Sequence, residues 1–213
     1  MARALTYKNI ENYKPVELEF SGRWEASFGR PEMKGSWLVW GGSGSGKTRF
    51  ALQLCKYLCR FGRVAYNSLE EGLSKSMKIA FMQAGMKEVD GRFIFLDMEN
   101  KADLEKRLER RKSPDAVIID SLQYFRMTLS DYERFKRKFP NKLFIFISHT
   151  KGGEPKGSVA ESIRYDAFVK VWIEGYKAFP VSRYLGGEAP PFIIWTQGAE
   201  DYWGNNELKN RKP

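Results

Sequence analysis

Cysteine and histidine are scarce in this chain of 213 residues: two cysteines, Cys55 and Cys59, and a single histidine, His149. The two cysteines stand a helical turn apart on a segment expected to be partly buried. That placement suits free core thiols rather than a metal pair or a disulfide. No apolar run approaches the ~18 residues of a membrane-spanning helix, and the first residues carry no apolar leader segment. The expectation is a protein outside the membrane, in a reducing cytoplasm. Repeats and low-complexity linkers are missing too, so no internal domain boundary is drawn. Acidic residues are the scarcer charge, 26 against 36 Lys and Arg, leaving a formal net charge of +10. That surplus suits a polyanionic partner. The remainder, 42% hydrophobic and 29% charged, describes an ordinary folded protein, of a length that fits one α/β domain with at most a small appendage.

What the chain does contain is a strand-like run, Ser36-Trp37-Leu38-Val39, feeding a glycine-rich turn. Gly41-Gly42-Ser43-Gly44-Ser45-Gly46-Lys47-Thr48 fits G-x-x-x-x-G-K-[ST] without a mismatch, and Arg49-Phe50 opens a helical pattern behind it. Glycines let successive backbone N–H groups converge on an anion, and the helix N-terminus adds partial positive charge. In such a P-loop, Lys47 reaches the β- and γ-phosphates and the Thr48 hydroxyl sits on Mg²⁺. Gly41 to Arg49 is therefore the expected cradle of a nucleoside triphosphate.

Residues 1–35 are read as an extension packing on the core or on a neighbouring subunit, 36–204 as the core, and 205–213 as a polar tail. In the extension Val16, Leu18 and Phe20 alternate with polar residues, as a half-buried strand would. After the P-loop, strands are expected at 63–68, 92–96, 116–120, 143–147, 168–173 and 191–195. Helices carry Phe50, Leu54 and Leu58; Leu73, Met77 and Phe81; Leu104 and Leu108; and Tyr132, Phe135 and Phe139. Ser130 with Glu133 reads as a capping box for the last of these, and Thr150 to Gly157 reads as a loop. Strands alternating with helices predict an α/β fold with a mainly parallel central sheet and helices on both faces.

In such sheets ligands sit at the carboxyl ends of the strands. Those ends carry the P-loop, Glu70 and Glu71, Asp120, and Ser148-His149. Asp120 closes a buried run where a carboxylate can hold Mg²⁺. Glu70 is the candidate to orient and deprotonate an attacking water, with Glu71 the next. His149 either hydrogen-bonds near the γ-phosphate or caps its strand.

These segments, with Asn67-Ser68-Leu69-Glu70-Glu71, Ile118-Ile119-Asp120-Ser121-Leu122-Gln123 and Ser148-His149-Thr150-Lys151-Gly152-Gly153, resemble the RecA-like ATPase core. The likeness is to the DnaB, RadA/Sms and KaiC group, in a form phages and mobile elements carry. The resemblance implies a catalytic glutamate at Glu70, a Walker B aspartate at Asp120 and a polar sensor at His149. It further implies ATP and Mg²⁺ as ligands, a DNA-facing loop from Thr150 to Gly157, and assembly into homo-oligomeric rings or filaments; Lys151 and Lys156, flanking Gly152 and Gly153 in a chain of net charge +10, are the candidate contacts to DNA. The family's late Lys-x-Arg appears as Val181-Ser182-Arg183, so Arg183 is the candidate to act on a neighbour's nucleotide while the lysine is missing. The leading expectation is an ATPase coupled to DNA replication or recombination, with single-stranded DNA as the partner. A slow, nucleotide-switched assembly or loading factor is the alternative. A small-molecule kinase is disfavoured, because a kinase needs a phosphate acceptor rather than a water-activating carboxylate.

Overall fold

The computed structural model describes residues 4–186 and 189–209, the last five of them by backbone alone. Two short helices come first, α1 (Tyr7–Glu11) and α2 (Arg23–Phe28). Strand β1 (Gly35–Gly41) runs through the P-loop into α3 (Lys47–Leu58), followed by β2 (Val64–Ser68) and α4 (Lys75–Ala84). Next come β3 (Phe93–Asp97), α5 (Lys101–Leu108), β4 (Ala116–Asp120), α6 (Leu122–Phe125) and α7 (Leu129–Lys138). Strand β5 (Leu143–Ser148) leads into a hairpin of β6 (Thr150–Lys151) and β7 (Glu154–Pro155), then α8 (Ser158–Asp166). The described chain closes with β8 (Val169–Glu174), β9 (Lys177–Ser182), β10 (Phe192–Ile193) and α9 (Thr196–Lys209).

Eight strands form one sheet in the order β10-β9-β8-β1-β5-β4-β2-β3. The six from β8 to β3 run parallel, and β9 and β10 add antiparallel pairs at one edge. Because helices cover both faces, the central strands read as continuous apolar runs rather than alternating ones. Trp37, Val39, Ile118 and Ile145 face one core with α2, α3 and α4. Leu38, Val117, Ile119, Phe144 and Phe146 face the other with α5, α7 and α8. On the first face Trp24 stacks on Tyr57 with ring centroids 4.9 Å apart, and Phe28 on Trp37 at 5.7 Å. Cys55 and Cys59 are buried there as free thiols. Among the described residues no helix is long and apolar enough to cross a membrane.

Several local expectations need correcting. Leu18 and Phe20 are buried, but residues 16–20 form only one isolated bridge, Glu17 to Glu32. Leu18 donates to the Pro31 carbonyl at 2.7 Å, and a proline has no N–H to return, so no ladder grows. Leu73 lies ahead of α4 and is exposed, because Ser74 caps the helix by accepting from the Met77 N–H. The capping box of α7 is Thr128 with Asp131, two residues earlier than Ser130 and Glu133. Strand β9 is not legible in the sequence because Pro180 sits inside it; the proline is tolerated there because it lies beyond the end of β10, on an open edge. The 150–157 loop is an ordered hairpin, whose ties belong to the site below. Of the expected tail, 205–209 continue the backbone of α9 and 210–213 lie outside the described residues.

Candidate active site

The carboxyl ends of β1, β2, β4 and β5 converge on a cleft of about 410 Å³. Its floor is the P-loop. Gly46 holds φ +106°, the left-handed region open to glycine, and hands the chain to α3 at Lys47. At Gly41 a Cβ would stand 2.2 Å from the Ile173 carbonyl oxygen, so the β1–β8 approach admits no side chain. Gly42, Ser43, Gly44, Lys47 and Thr48 line the cleft. The Ser45 hydroxyl is buried without a protein partner. Lys47 Nζ donates to the carbonyls of Gly41 (2.9 Å) and Gly42 (2.6 Å). Burial pulls the Lys47 ammonium below the ordinary lysine range, while Asp120 and Glu70 act in the opposite sense.

Asp120 closes β4 between Ser68 of β2 and Ile147 of β5, which carries its carboxylate into the cleft. Burial raises its pKa, and a hydrogen bond from the wholly buried Tyr66 hydroxyl to Oδ2 opposes that rise. Burial also pushes the Tyr66 phenol well above its usual value, with Asp120 adding to the effect. Tyr66 therefore stays the donor.

Glu70 follows β2 and meets His149 at the end of β5, with Oε2 2.9 Å from Nε2. Ser121 Oγ lies 3.4 Å from both. Glu71 is differently engaged: its Oε1 accepts from the hydroxyls of Ser74 and Ser76 at the start of α4. Of the two glutamates, Glu70 is thus the one placed beside His149.

The hairpin after His149 is tied on several sides. Gln123 Nε2 donates to Ser148 Oγ and to the Lys156 carbonyl, both at 2.8 Å, while its Oε1 accepts from the His149 N–H at 3.2 Å. Trp40 Nε1 donates to the Gly153 carbonyl at 2.9 Å, and Arg164 pairs with Glu154. This separates the two lysines that the sequence groups together: both are exposed, but of the two only Lys156 lines the cleft. Arg49 turns to the flank, its guanidinium 4.7 Å over the Trp195 ring, and Tyr176 meets Trp195 edge-on at 5.0 Å.

Arg183 is not brought to this cleft. It follows Ser182, which pairs with Val169 at the amino end of β8, whereas the P-loop leaves the carboxyl end of the neighbouring β1. Its Nη2 donates to the Tyr165 carbonyl at 3.0 Å, and its guanidinium lies 5.2 Å over the Phe168 ring. Sequence reasoning missed Tyr66, Tyr176 and Trp195. A tyrosine inside a doubly buried strand was the only available signal, and only for Tyr66.

A parallel sheet of this order, with a P-loop leaving a central strand and helices on both faces, is the RecA-like α/β fold. Two solved structures similar to the chain carry it. One is the flagellar accessory protein FlaH from Methanocaldococcus jannaschii, and the other is the KaiC-like protein PH0186 from Pyrococcus horikoshii OT3. Each is 16% identical with a TM-score of 0.59, covering 84% of this chain and 93% of the other. No protein-family model matches the chain, nor does any curated protein sequence.

Proposed function

We propose that this protein is a Mg²⁺-dependent ATPase of the RecA-like class whose hydrolysis is coupled to DNA. The observation that carries the reading is the cleft itself, where Glu70, paired with His149, shares one cavity with Lys47, Thr48 and Asp120. The residues fit the ligands. A glycine-rich loop that leads into the amino end of α3 and leaves the Ser45 hydroxyl unpartnered suits a polyphosphate. The Thr48 hydroxyl and the Asp120 carboxylate are the hard oxygen donors that Mg²⁺ takes. When bound, Mg²⁺ would offset the negative charge of the phosphates.

The rest belongs to the chain's own groups. Lys47 exchanges its two carbonyl partners for phosphate oxygens. Glu70 accepts the proton of the attacking water at Oε1, while His149 holds Oε2 and fixes the carboxylate's orientation. Tyr176, which lines a cavity adjoining the cleft through Gly42, Ser43 and Gly44, offers a ring on which a base can stack. Lys151 on the hairpin and the net charge of +10 support contact with single-stranded DNA. Arg183, remote from its own P-loop, would act on a neighbouring subunit in a ring or filament. One observation favours the slower, nucleotide-switched loading factor as a second reading: Arg183 is already held by Tyr165 and Phe168 of its own chain.

Phosphate release by the wild type and by Glu70→Gln, each with and without single-stranded DNA, tests the proposal. The wild type should turn over faster with DNA. Glu70→Gln should bind ATP yet hydrolyse it ~10²–10⁴-fold more slowly. Undiminished hydrolysis by Glu70→Gln removes Glu70 as the base, and turnover indifferent to DNA favours the loading factor.

A further inference from the structure

Lys156 enters the cleft from the hairpin, and no motif of the P-loop accounts for it. Three carboxylates and two lysines line the cavity: Glu70, Glu71 and Asp120 against Lys47 and Lys156. Each carboxylate already has a donor within the protein, His149, the Ser74 and Ser76 pair, and Tyr66 respectively. Lys47 is occupied by the Gly41 and Gly42 carbonyls. The Lys156 ammonium has neither an ion pair nor a hydrogen-bond partner among the described residues. Its backbone, by contrast, is fixed on both sides. The N–H donates to the His149 carbonyl at 2.9 Å, and the carbonyl accepts from Gln123 at 2.8 Å. A side chain with a located root and an uncommitted charge, at the end of the cleft where His149 meets Glu70, is placed for an anion that is not part of the chain.

We propose that Lys156 is a second phosphate-binding cation of this site, contacting the terminal phosphate of a nucleoside triphosphate from the hairpin side. The inference rests on the nucleotide reading above and deepens it. A triphosphate entering beside three carboxylates is favoured by positive charge beyond Lys47 and its Mg²⁺, and lysine supplies it as a mobile point charge. Because Lys156 belongs to the 150–157 segment, the terminal phosphate then touches the same piece of chain that exposes Lys151. ADP lacks that phosphate and leaves the contact unmade. The proposal takes Lys156 out of the set of DNA contacts.

The test compares dissociation constants for Mg·ADP and for a non-hydrolysable ATP analogue, using the full chain as wild type, Lys156→Ala and Lys156→Arg. Losing a charge-assisted contact should weaken the analogue about ten- to hundredfold in Lys156→Ala. ADP affinity should stay within about twofold, which also shows that the variant is folded. Lys156→Arg should recover most of the preference for the analogue. An unchanged analogue-to-ADP ratio in Lys156→Ala overturns the proposal, as does an equal loss for both nucleotides. Unchanged nucleotide affinities with weakened single-stranded DNA binding also overturn it and return Lys156 to the DNA contacts. A wild type that binds neither nucleotide refutes the ATPase reading itself, a different result from any of these.

Discussion

Replacing Tyr66 with phenylalanine removes one oxygen from the middle of the sheet and leaves the ring in place. Tyr66 is wholly buried, its ring edge-on to Phe81 at 6.1 Å, so phenylalanine keeps the packing. What disappears is the hydroxyl donor to Asp120, which makes no other side-chain hydrogen bond among the described residues. A hydrogen bond to a charged group contributes about 1.5–3 kcal/mol, and the buried carboxylate is left without its donor. For a chain of this length each kcal/mol is about 2–4 °C, so the melting temperature of the nucleotide-free protein should fall by roughly 3–12 °C. Function should suffer in one particular way. Asp120 loses the contact that orients it, so the Mg²⁺ concentration giving half-maximal phosphate release should rise severalfold. Nucleotide binding measured without Mg²⁺ should stay as it was. Thermal unfolding and a Mg²⁺ titration read the two effects. In the double variant with Asp120→Asn the losses should be less than additive, as for residues in direct contact. A melting temperature within about 1 °C of wild type, together with an unmoved Mg²⁺ response, would refute the idea that Tyr66 holds Asp120.

Two further predictions concern assembly and acid stability. If Arg183 acts on a neighbour's nucleotide, ATPase activity per subunit should rise with protein concentration. A mixture of inactive Arg183→Ala and Lys47→Ala proteins should then regain turnover at shared interfaces, and no rescue on mixing leaves Arg183 as the local strut its bonds to Tyr165 and Phe168 describe. Lys101, at 2.6 Å, and the Thr128 N–H hold the Asp131 carboxyl down to about 2. A folded-state pKa below the unfolded one means stability that is present above about pH 4 and lost as pH falls toward 2. Asp131→Asn should therefore cost about 1–2 kcal/mol at pH 7, with some screening at this partly exposed pair, and appreciably less near pH 3. Urea unfolding across that range reads the slope, and a pH-independent cost would contradict it.

What could be read from the chain divides along physical lines. Strand runs such as Val117-Ile118-Ile119 are legible because burial on both faces demands unbroken apolarity. The residues that end them, Glu70, Asp120 and His149, are legible because parallel strands deliver their carboxyl ends to one edge. The structure brings these three to the P-loop's cleft. Contacts between distant segments leave no such trace. Tyr66 finds Asp120 across 54 residues, and Trp40 finds the Gly153 carbonyl across 113. Composition reads Thr150 to Gly157 as a loop, because its glycines and lysines announce polarity while Trp40, Gln123 and Arg164, which order it, lie elsewhere. At the start of α7 the spacing in the sequence points to Ser130 with Glu133. Tertiary structure selects Thr128 with Asp131, since Asp131 also meets Lys101.

The fastening of the hairpin has a mechanical consequence. Gln123 grips Ser148, His149 and Lys156 at once, so the ends of the 150–155 ribbon share a single joint. A ribbon of two or three residues per arm extends ~7–10 Å from that joint. Tilting such a beam by ~10° carries its tip ~1–2 Å once the Trp40 bond to the Gly153 carbonyl is released, so an angular change too slight to disturb the cleft becomes a displacement at Gly152 as wide as an atom. Gln123 is then a hinge pin, and the gain of the linkage is set by the ribbon's length: lengthening the 151–154 turn should increase the travel of the tip without touching a residue of the cleft.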